Sequence, residues 1–150
     1  MISIKDQLHK KCIAIVDDKI KVQEKAFSDI QNALLSETKS SAGDKHETGR
    51  AMLQIEREKI GRQLSELARI QTVLQKIETT TVSPVISLGS VVYTSQHQYF
   101  IAASLGEMTL ENDSFYCISP QTPIGKILLS KRKGDLVNFN GTSIEILEVV

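Results

Sequence analysis

Two acidic residues, Asp44 and Glu47, are the side chains whose type and spacing best suit chemistry. They stand three residues apart in a stretch of small and polar residues, where a helix is expected to begin. There Asp44 would cap the helix and Glu47 would be its capping-box partner. Carboxylates also bind Mg²⁺, but Mg²⁺ takes about six oxygen ligands, so this pair could only complete a metal site that a partner holds. The two interpretations are compatible, because a capping interaction also fixes the direction of a carboxylate.

Other motifs that would indicate an enzyme are absent from the sequence. It contains no G-x-S-x-G nucleophile elbow and no G-x-x-x-x-G-K-[ST] phosphate loop. His9, His46 and His97 stand in unrelated contexts, and two cysteines with three histidines argue against a structural zinc site. We therefore expect that the chain alone is not an enzyme.

Charge and hydropathy exclude further classes of protein. Eighteen basic and eighteen acidic residues give a net charge of zero, which excludes a polycation that grips nucleic acid by charge alone. No apolar run approaches the ~20 residues of a membrane helix, and the N-terminus lacks a signal-peptide pattern. We expect a cytoplasmic protein without a membrane partner, in which Cys12 and Cys117 are small buried apolar residues rather than a disulfide.

The sequence divides near residue 80, and its first half has the pattern of long helices. Residues 1–80 contain no proline, and apolar residues recur there with heptad-like spacing in two segments. The first seam comprises Leu8, Cys12, Ile15, Val22, Ala26, Ile30 and Ala33, with Lys19 at one position, and the second comprises Leu53, Ile60, Leu67 and Leu74, with Leu64 and Ile77 alongside. Off the first seam lie Ile13, Val16 and Ile20, which could pack on the second half of the chain. The pattern predicts an antiparallel coiled-coil hairpin over 1–80 with its tip near 37–47 and arms ~50 Å long.

The second half has the pattern of a small sheet domain. Residues 81–150 hold all three prolines and every aromatic residue except Phe27. Apolar, β-branched and aromatic runs predict strands at 85–94, 99–103, 115–118, 136–139 and 143–149, the last two joined by an Asn140-Gly141 turn. Thr122 and Pro123 predict the start of a short helix at 124–129. We therefore expect an α+β chain whose second half is an antiparallel sheet with one helix packed on it.

Two segments resemble the bacterial Gre transcript cleavage factors, a family of transcription elongation factors. Residues 119–135 resemble the family's C-terminal signature, in which a serine–proline element precedes a short helix, a Gly-Asp pair and a final hairpin. The matching residues are Pro123, Ile124, Gly125, Leu128, Leu129, Gly134, Asp135 and the strand at 144–149. Residues 43–47, Gly-Asp-Lys-His-Glu, are similar to the family's tip motif Gly-Asp-x-x-Glu. The expected architecture agrees with the family over essentially the whole chain.

This resemblance implies a fold and a mechanism. The domain at 81–150 would be FKBP-like and would bind bacterial RNA polymerase at the mouth of its secondary channel, while the hairpin enters the channel. The implied polymerase-binding residues are Ser119, Pro120, Thr122, Pro123, Ile124 and Gly125. Asp44 and Glu47 would act as catalytic and metal-binding residues supplied to the polymerase active centre, where they help hold a shared Mg²⁺ while backtracked RNA is cleaved. The protein would have no cofactor of its own, would affect the nascent RNA 3′ end indirectly, and would meet DNA only through the complex.

Three functions stay open at this point. The first is a factor that stimulates transcript cleavage, which Asp44 and Glu47 favour. The second is a regulator that occupies the channel without promoting cleavage. It is favoured by residues 48–52, because strongly cleaving family members carry an asparagine and an aromatic residue nearby and this chain has neither there. The third is a coiled-coil adaptor whose partner is not a polymerase, for which the tip carboxylates would be dispensable.

Overall fold

The structure is a computed structural model that describes residues 3–39 and 44–150, with side chains described for 3–37 and 48–150. Two long helices come first, α1 (Ile4–Lys39) and α2 (Asp44–Gln75). Six strands and one short helix follow: β1 (Val91–Thr94), β2 (Gln98–Ile101), β3 (Gly106–Leu110), β4 (Asp113–Ile118), α3 (Pro123–Leu128), β5 (Leu136–Phe139) and β6 (Thr142–Val149). The predicted α+β class is confirmed.

The two long helices pair in antiparallel fashion, as predicted for a hairpin. Gln71 Nε2 donates a hydrogen bond to Asp17 Oδ1 at 3.3 Å, and Arg57 Nη1 donates to Gln31 Oε1 at 3.0 Å. As residue numbers rise along α1, those of the partners fall along α2. Both helices extend into the predicted tip, since α1 continues to Lys39 and α2 begins at Asp44; the rest of the predicted tip, residues 40–43, lies outside the described residues.

Most apolar residues of the two predicted seams are buried or half-buried, and Val22 of α1 is the exception. Ile60 and Leu74 are buried, whereas Val22, assigned to the α1 seam, is 66% exposed. Val16, which lies off the predicted seam, is fully buried. Val22 nevertheless lies beside α2, because it lines a cavity together with Gln63 and Leu67 of that helix.

The chain forms two compact units. One is Ala14–Gln71, and the other combines the start of α1, up to Ile13, with Thr72–Val150. The first ten residues of α1 therefore belong with the sheet, although the sequence pattern places them in the hairpin. The predicted domain boundary near residue 80 stays a prediction.

The sheet has the strand order β3-β4-β2-β1-β6-β5. Its neighbours are antiparallel, with the exception of β2 and β4, which run parallel with Phe100 opposite Cys117. The expectation of a wholly antiparallel sheet is wrong at this pair. The chain turns back after β2, so β3 runs opposite to β2 at the edge of the sheet. Strand β4 is antiparallel to β3 and lies between β3 and β2, so it runs in the direction of β2.

Strand boundaries also differ from the prediction near Gly89 and at β3. The predicted strand at 85–94 is shortened to β1, because Gly89 takes a φ of +92° and interrupts the extended run. Strand β3 was not predicted, since it contains few β-branched residues and its turn to β4 is Glu111-Asn112. Both turn residues have positive φ, 48° and 70°, but only Asn112 belongs to a residue type typical of such turns.

The sheet is covered on both faces within its own unit. One face carries the core cluster of Tyr99, Ile101, Ile146 and their neighbours, which Leu128 of α3 completes. The start of α1 contacts the sheet at β3 and β4, where Lys11 Nζ donates to the carbonyl oxygen of Thr109 at 2.7 Å. Successive side chains of β2 and β4 point to opposite faces of the sheet. The core cluster with α3 and the contact with the start of α1 therefore lie on different faces.

Candidate functional site

The acidic pair lies at the end of the hairpin. Asp44 is the first residue of α2 and Glu47 belongs to its first turn. The N-terminal end of a helix carries unpaired N–H groups and a positive partial charge, which favours carboxylates there. The side chains of Asp44 and Glu47 lie outside the described part of the chain, so their capping and metal-binding roles stay predictions.

The two helices contact each other close to the acidic pair Asp44 and Glu47. Arg50 Nη1 donates a hydrogen bond at 3.0 Å to the carbonyl oxygen of Leu34 in the last turns of α1. A methyl group at Gly49 would lie 3.8 Å from a carboxylate oxygen of Glu37, which is ordinary van der Waals contact. The segment that follows the acidic pair is therefore a helix that contacts α1, although it contains Gly49.

Large apolar side chains are exposed in the same part of the hairpin. Leu35 is 59% exposed, Met52 67% and Ile55 66%. Met52 and Ile55 are three residues apart in α2, so they lie on one side of the helix. The heptad pattern does not account for these three residues, since none of them belongs to the predicted seam.

The segment predicted to bind polymerase forms a closed turn at the start of α3. Thr122 is the N-cap, as predicted: its Oγ1 accepts a hydrogen bond from the Gly125 N–H at 3.2 Å and donates one to the Ser119 carbonyl oxygen at 2.8 Å. The Ser119 hydroxyl accepts from the backbone N–H of Gln121 at 3.2 Å. Gly125 is buried, whereas Pro123 is exposed. Thr122 and Gly125 therefore shape the turn, and Pro123 lies on its surface.

The remaining members of the C-terminal signature also have structural roles. The Asp135 carboxylate accepts a hydrogen bond from the backbone N–H of Arg132 at 2.8 Å, which closes the basic turn after α3. Gly134 has a φ of +92°, a conformation that suits glycine. The resemblance between this signature and the Gre family thus rests largely on residues that hold a turn–helix–turn unit in shape.

Three aromatic rings form a cluster that the sequence pattern did not reveal and that runs from the buried Tyr99 to the exposed His97. His97 and Tyr116 meet edge-to-face with ring centroids 5.0 Å apart, and Tyr99 lies 6.2 Å from Tyr116. A hydrogen bond to Glu107, with its negative charge, raises the pKa of Tyr116, while burial raises that of Tyr99. The rings come from the β1–β2 turn, β2 and β4, and only the parallel β2–β4 pairing brings them together.

Metal and membrane sites were also sought in the described part of the chain. Within it, no group of three His, Cys, Asp or Glu side chains is placed to hold a metal ion. Across the same residues, no helix is both long and apolar enough to cross a membrane.

Comparison with known proteins finds similarity among solved structures only. No family model matches the sequence, and no curated protein matches it. Among solved structures, the chain is similar to the transcription factor Gfh1, with 19% sequence identity over 91% of this chain and 92% of that chain and a TM-score of 0.38. These values are too low to show a shared family, so the function must be argued from the residues of this chain.

Proposed function

We propose that this protein is a transcription factor of the Gre type, which binds RNA polymerase at its secondary channel and stimulates cleavage of backtracked RNA. The observation that carries the proposal is the position of the Gly-Asp-x-x-Glu motif. Asp44 starts the second helix of an antiparallel pair, so two carboxylates are presented where a helical hairpin ends. In this proposal the protein is an auxiliary factor and the polymerase is the enzyme.

The exposed apolar residues near this end support a hairpin that is covered in use. Leu35, Met52 and Ile55 are each more than half exposed. Burying a side chain of this size is worth about 1.5–3 kcal/mol. Contact with the wall of a protein channel would remove these side chains from water.

The acidic pair would supply position and charge to the reaction. Carboxylate oxygens are suitable ligands for Mg²⁺, and two of them fall short of its usual six, which fits a metal shared with a partner. When bound, Mg²⁺ lowers the pKa of a coordinated water and stabilises the leaving oxygen in phosphodiester hydrolysis. Asp44 and Glu47 would provide negative charge for the metal, and the start of α2 would orient both side chains.

The sheet unit would provide the docking contact through the turn at residues 119–125. Thr122 and Gly125 are engaged within the turn, so they would maintain its shape. The exposed ring of Pro123 and the exposed Gln121 would meet the polymerase. A proline-containing turn loses little conformational entropy on binding, which suits a contact surface.

The direct test is RNA cleavage in stalled, backtracked bacterial elongation complexes with and without the full-length protein. We expect faster release of the short 3′ fragment when the protein is present. A protein that binds the polymerase yet leaves the cleavage rate unchanged would contradict the cleavage function. Absence of any binding to polymerase would contradict the entire proposal and favour the coiled-coil adaptor.

A second candidate function is a channel regulator that does not promote cleavage. It is favoured by residues 48–52, which lack the asparagine and the aromatic residue of strongly cleaving family members. The same assay separates the two functions. A non-cleaving regulator would slow the cleavage stimulated by an active Gre factor, because both would compete for one channel.

A further inference from the structure

Two cysteines that are 105 residues apart in the sequence lie side by side in the structure. Cys12 Sγ of α1 is 3.3 Å from Cys117 Sγ of β4. Both are free thiols and both are buried, at 0% and 1% exposure. The thioether of Met108 lies 3.9 Å from Cys12 Sγ, so the pair sits in an apolar, sulfur-rich part of the core.

We propose that Cys12 and Cys117 form a redox site, a dithiol that hydrogen peroxide oxidises to an intramolecular disulfide. The two sulfurs need to approach from 3.3 Å to a bond length of about 2.05 Å. No other cysteine exists in the sequence, so the pair has no competing intramolecular partner. The proposal does not depend on the proposed function in transcription.

The surroundings of the two sulfurs shift their pKa values in opposite directions. The S–H of Cys12 and the backbone N–H groups of Ala103 and Leu105 lower the pKa of Cys117, although burial opposes them. The hydrogen bond and burial raise the pKa of Cys12. Since the thiolate is the nucleophile in thiol oxidation, these directions favour Cys117 as the sulfur that reacts with peroxide and Cys12 as the sulfur that completes the disulfide.

The reaction balances with one molecule of hydrogen peroxide. The Cys117 thiolate attacks one peroxide oxygen, the O–O bond breaks, and a sulfenic acid and hydroxide form. Cys12 then loses its proton, attacks the Cys117 sulfur and displaces the second hydroxide, which forms the S–S bond. The two sulfurs lose two electrons in total, and the two hydroxides leave as water after they take up the two thiol protons.

Burial determines how this site would behave. A small oxidant reaches the sulfurs more readily than a bulky thiol reagent does, so peroxide and an aromatic disulfide reagent should differ in the native state. The disulfide would join the start of α1 to β4 and close a loop of 105 residues. A cross-link over so long a loop strongly restricts the unfolded chain, so the oxidised protein should melt at a higher temperature.

The experiment uses the full-length protein treated with hydrogen peroxide under native conditions. We expect the two thiols titratable after denaturation to disappear together, a monomer on a non-reducing gel, an intact mass lower by two hydrogens, and a higher Tm. Dithiothreitol should reverse all four changes. This reversal separates the disulfide from oxidation of Met108 to its sulfoxide, which dithiothreitol does not reduce efficiently.

Cys12→Ser and Cys117→Ser are the matched variants. Each should show no increase in Tm on oxidation, while Cys117→Ser should leave its remaining thiol unreactive for longer than Cys12→Ser does. The wild-type protein provides an independent check that needs no variant. The proposal is overturned if both wild-type thiols persist under peroxide that oxidises the urea-unfolded chain, or if the product is a disulfide-linked dimer.

Discussion

Ser119 and Gly125 approach so closely that a methyl group on Gly125 would lie 2.3 Å from the carbonyl oxygen of Ser119. Carbon and oxygen atoms do not approach to this distance without a shift of the backbone, and the oxygen belongs to the turn that begins α3. The glycine is therefore required by packing, since its φ is not in the left-handed region. This contact explains why the signature contains a glycine inside a helix.

The first prediction compares glycines in helices. Gly125→Ala should destabilise the protein by roughly 1–3 kcal/mol, the usual effect of overpacking. Gly61→Ala in α2 is the matched control, because no atom lies within 4 Å of the added methyl group. It should stabilise the protein by up to about 1 kcal/mol through helix propensity. Urea unfolding measures both changes, and equal effects of the two substitutions would contradict the close contact.

The second prediction concerns the cap of α3. Thr122→Ala removes the oxygen that accepts the Gly125 N–H, and it should lower the free energy of unfolding by about 1 kcal/mol. Thr122→Ser keeps the oxygen and should change it by only a few tenths. If alanine and serine are equally destabilising, the lost methyl group rather than the hydrogen bond is responsible.

The third prediction compares two isoleucines five positions apart in α2. Ile60 is 4% exposed and Ile55 is 66% exposed. Ile60→Asp would bury an unpaired charge and should lower stability by several kcal/mol, which thermal melting of the helical signal would detect. Ile55→Asp should change stability by less than about 0.5 kcal/mol, but it should weaken binding to polymerase. Unchanged binding would show that the exposed apolar residues are not part of that contact.

The fourth prediction concerns the acidic pair. Asp44→Asn and Glu47→Gln should each reduce RNA cleavage at limiting Mg²⁺ by about tenfold or more, whereas stability should hardly change because asparagine still caps a helix. The double variant should be little worse than either single one if the pair acts as a unit. Asp29→Asn, which removes a charge from an exposed ion pair with Lys25, is the control. If RNA cleavage in the presence of Asp44→Asn proceeds at the wild-type rate at limiting Mg²⁺, the metal-binding role of Asp44 is wrong and the residue acts only as a helix cap.

The fifth prediction concerns pH. Lys5 is buried, its ammonium donates to the Thr81 carbonyl oxygen at 2.8 Å, and burial lowers its pKa. In the interval between the lowered folded pKa and the ordinary value of about 10.4, the unfolded chain binds more protons than the folded one. Stability from this residue therefore rises with pH across that interval.

Lys5→Met lacks this rise, so the difference in stability between wild type and variant should shift in favour of the wild type as the solution becomes alkaline. Urea unfolding at several pH values provides the measurement. The prediction concerns the difference in stability between wild type and variant, because other groups also change stability with pH. The raised pKa values of Tyr93 and Tyr99 make the stability that these residues contribute fall as pH rises, and they do so equally in both proteins. A constant difference would mean that Lys5 keeps its ordinary pKa in the folded state.

The sequence by itself determined the features that depend on near neighbours in the chain. Heptad spacing and the lack of proline determined the two long helices, Thr122-Pro123 the start of α3, and Asn140-Gly141 the hairpin of β5 and β6. Each of these reflects a local preference of the backbone or a repeat on one helix face. The acidic pair was found in the same way, from its place beside the expected helix start.

Tertiary structure alone decided which distant residues meet. The parallel β2–β4 pairing and the ring contact of His97 with Tyr116 follow from the strand order, and the 3.3 Å separation of Cys12 and Cys117 follows from the packing of α1 on β4. No local pattern encodes these contacts, because they depend on which strand occupies the gap beside β2 and on where the start of α1 packs. The thiol pair therefore appeared in the sequence as two unrelated cysteines and becomes a candidate redox site only in the folded chain.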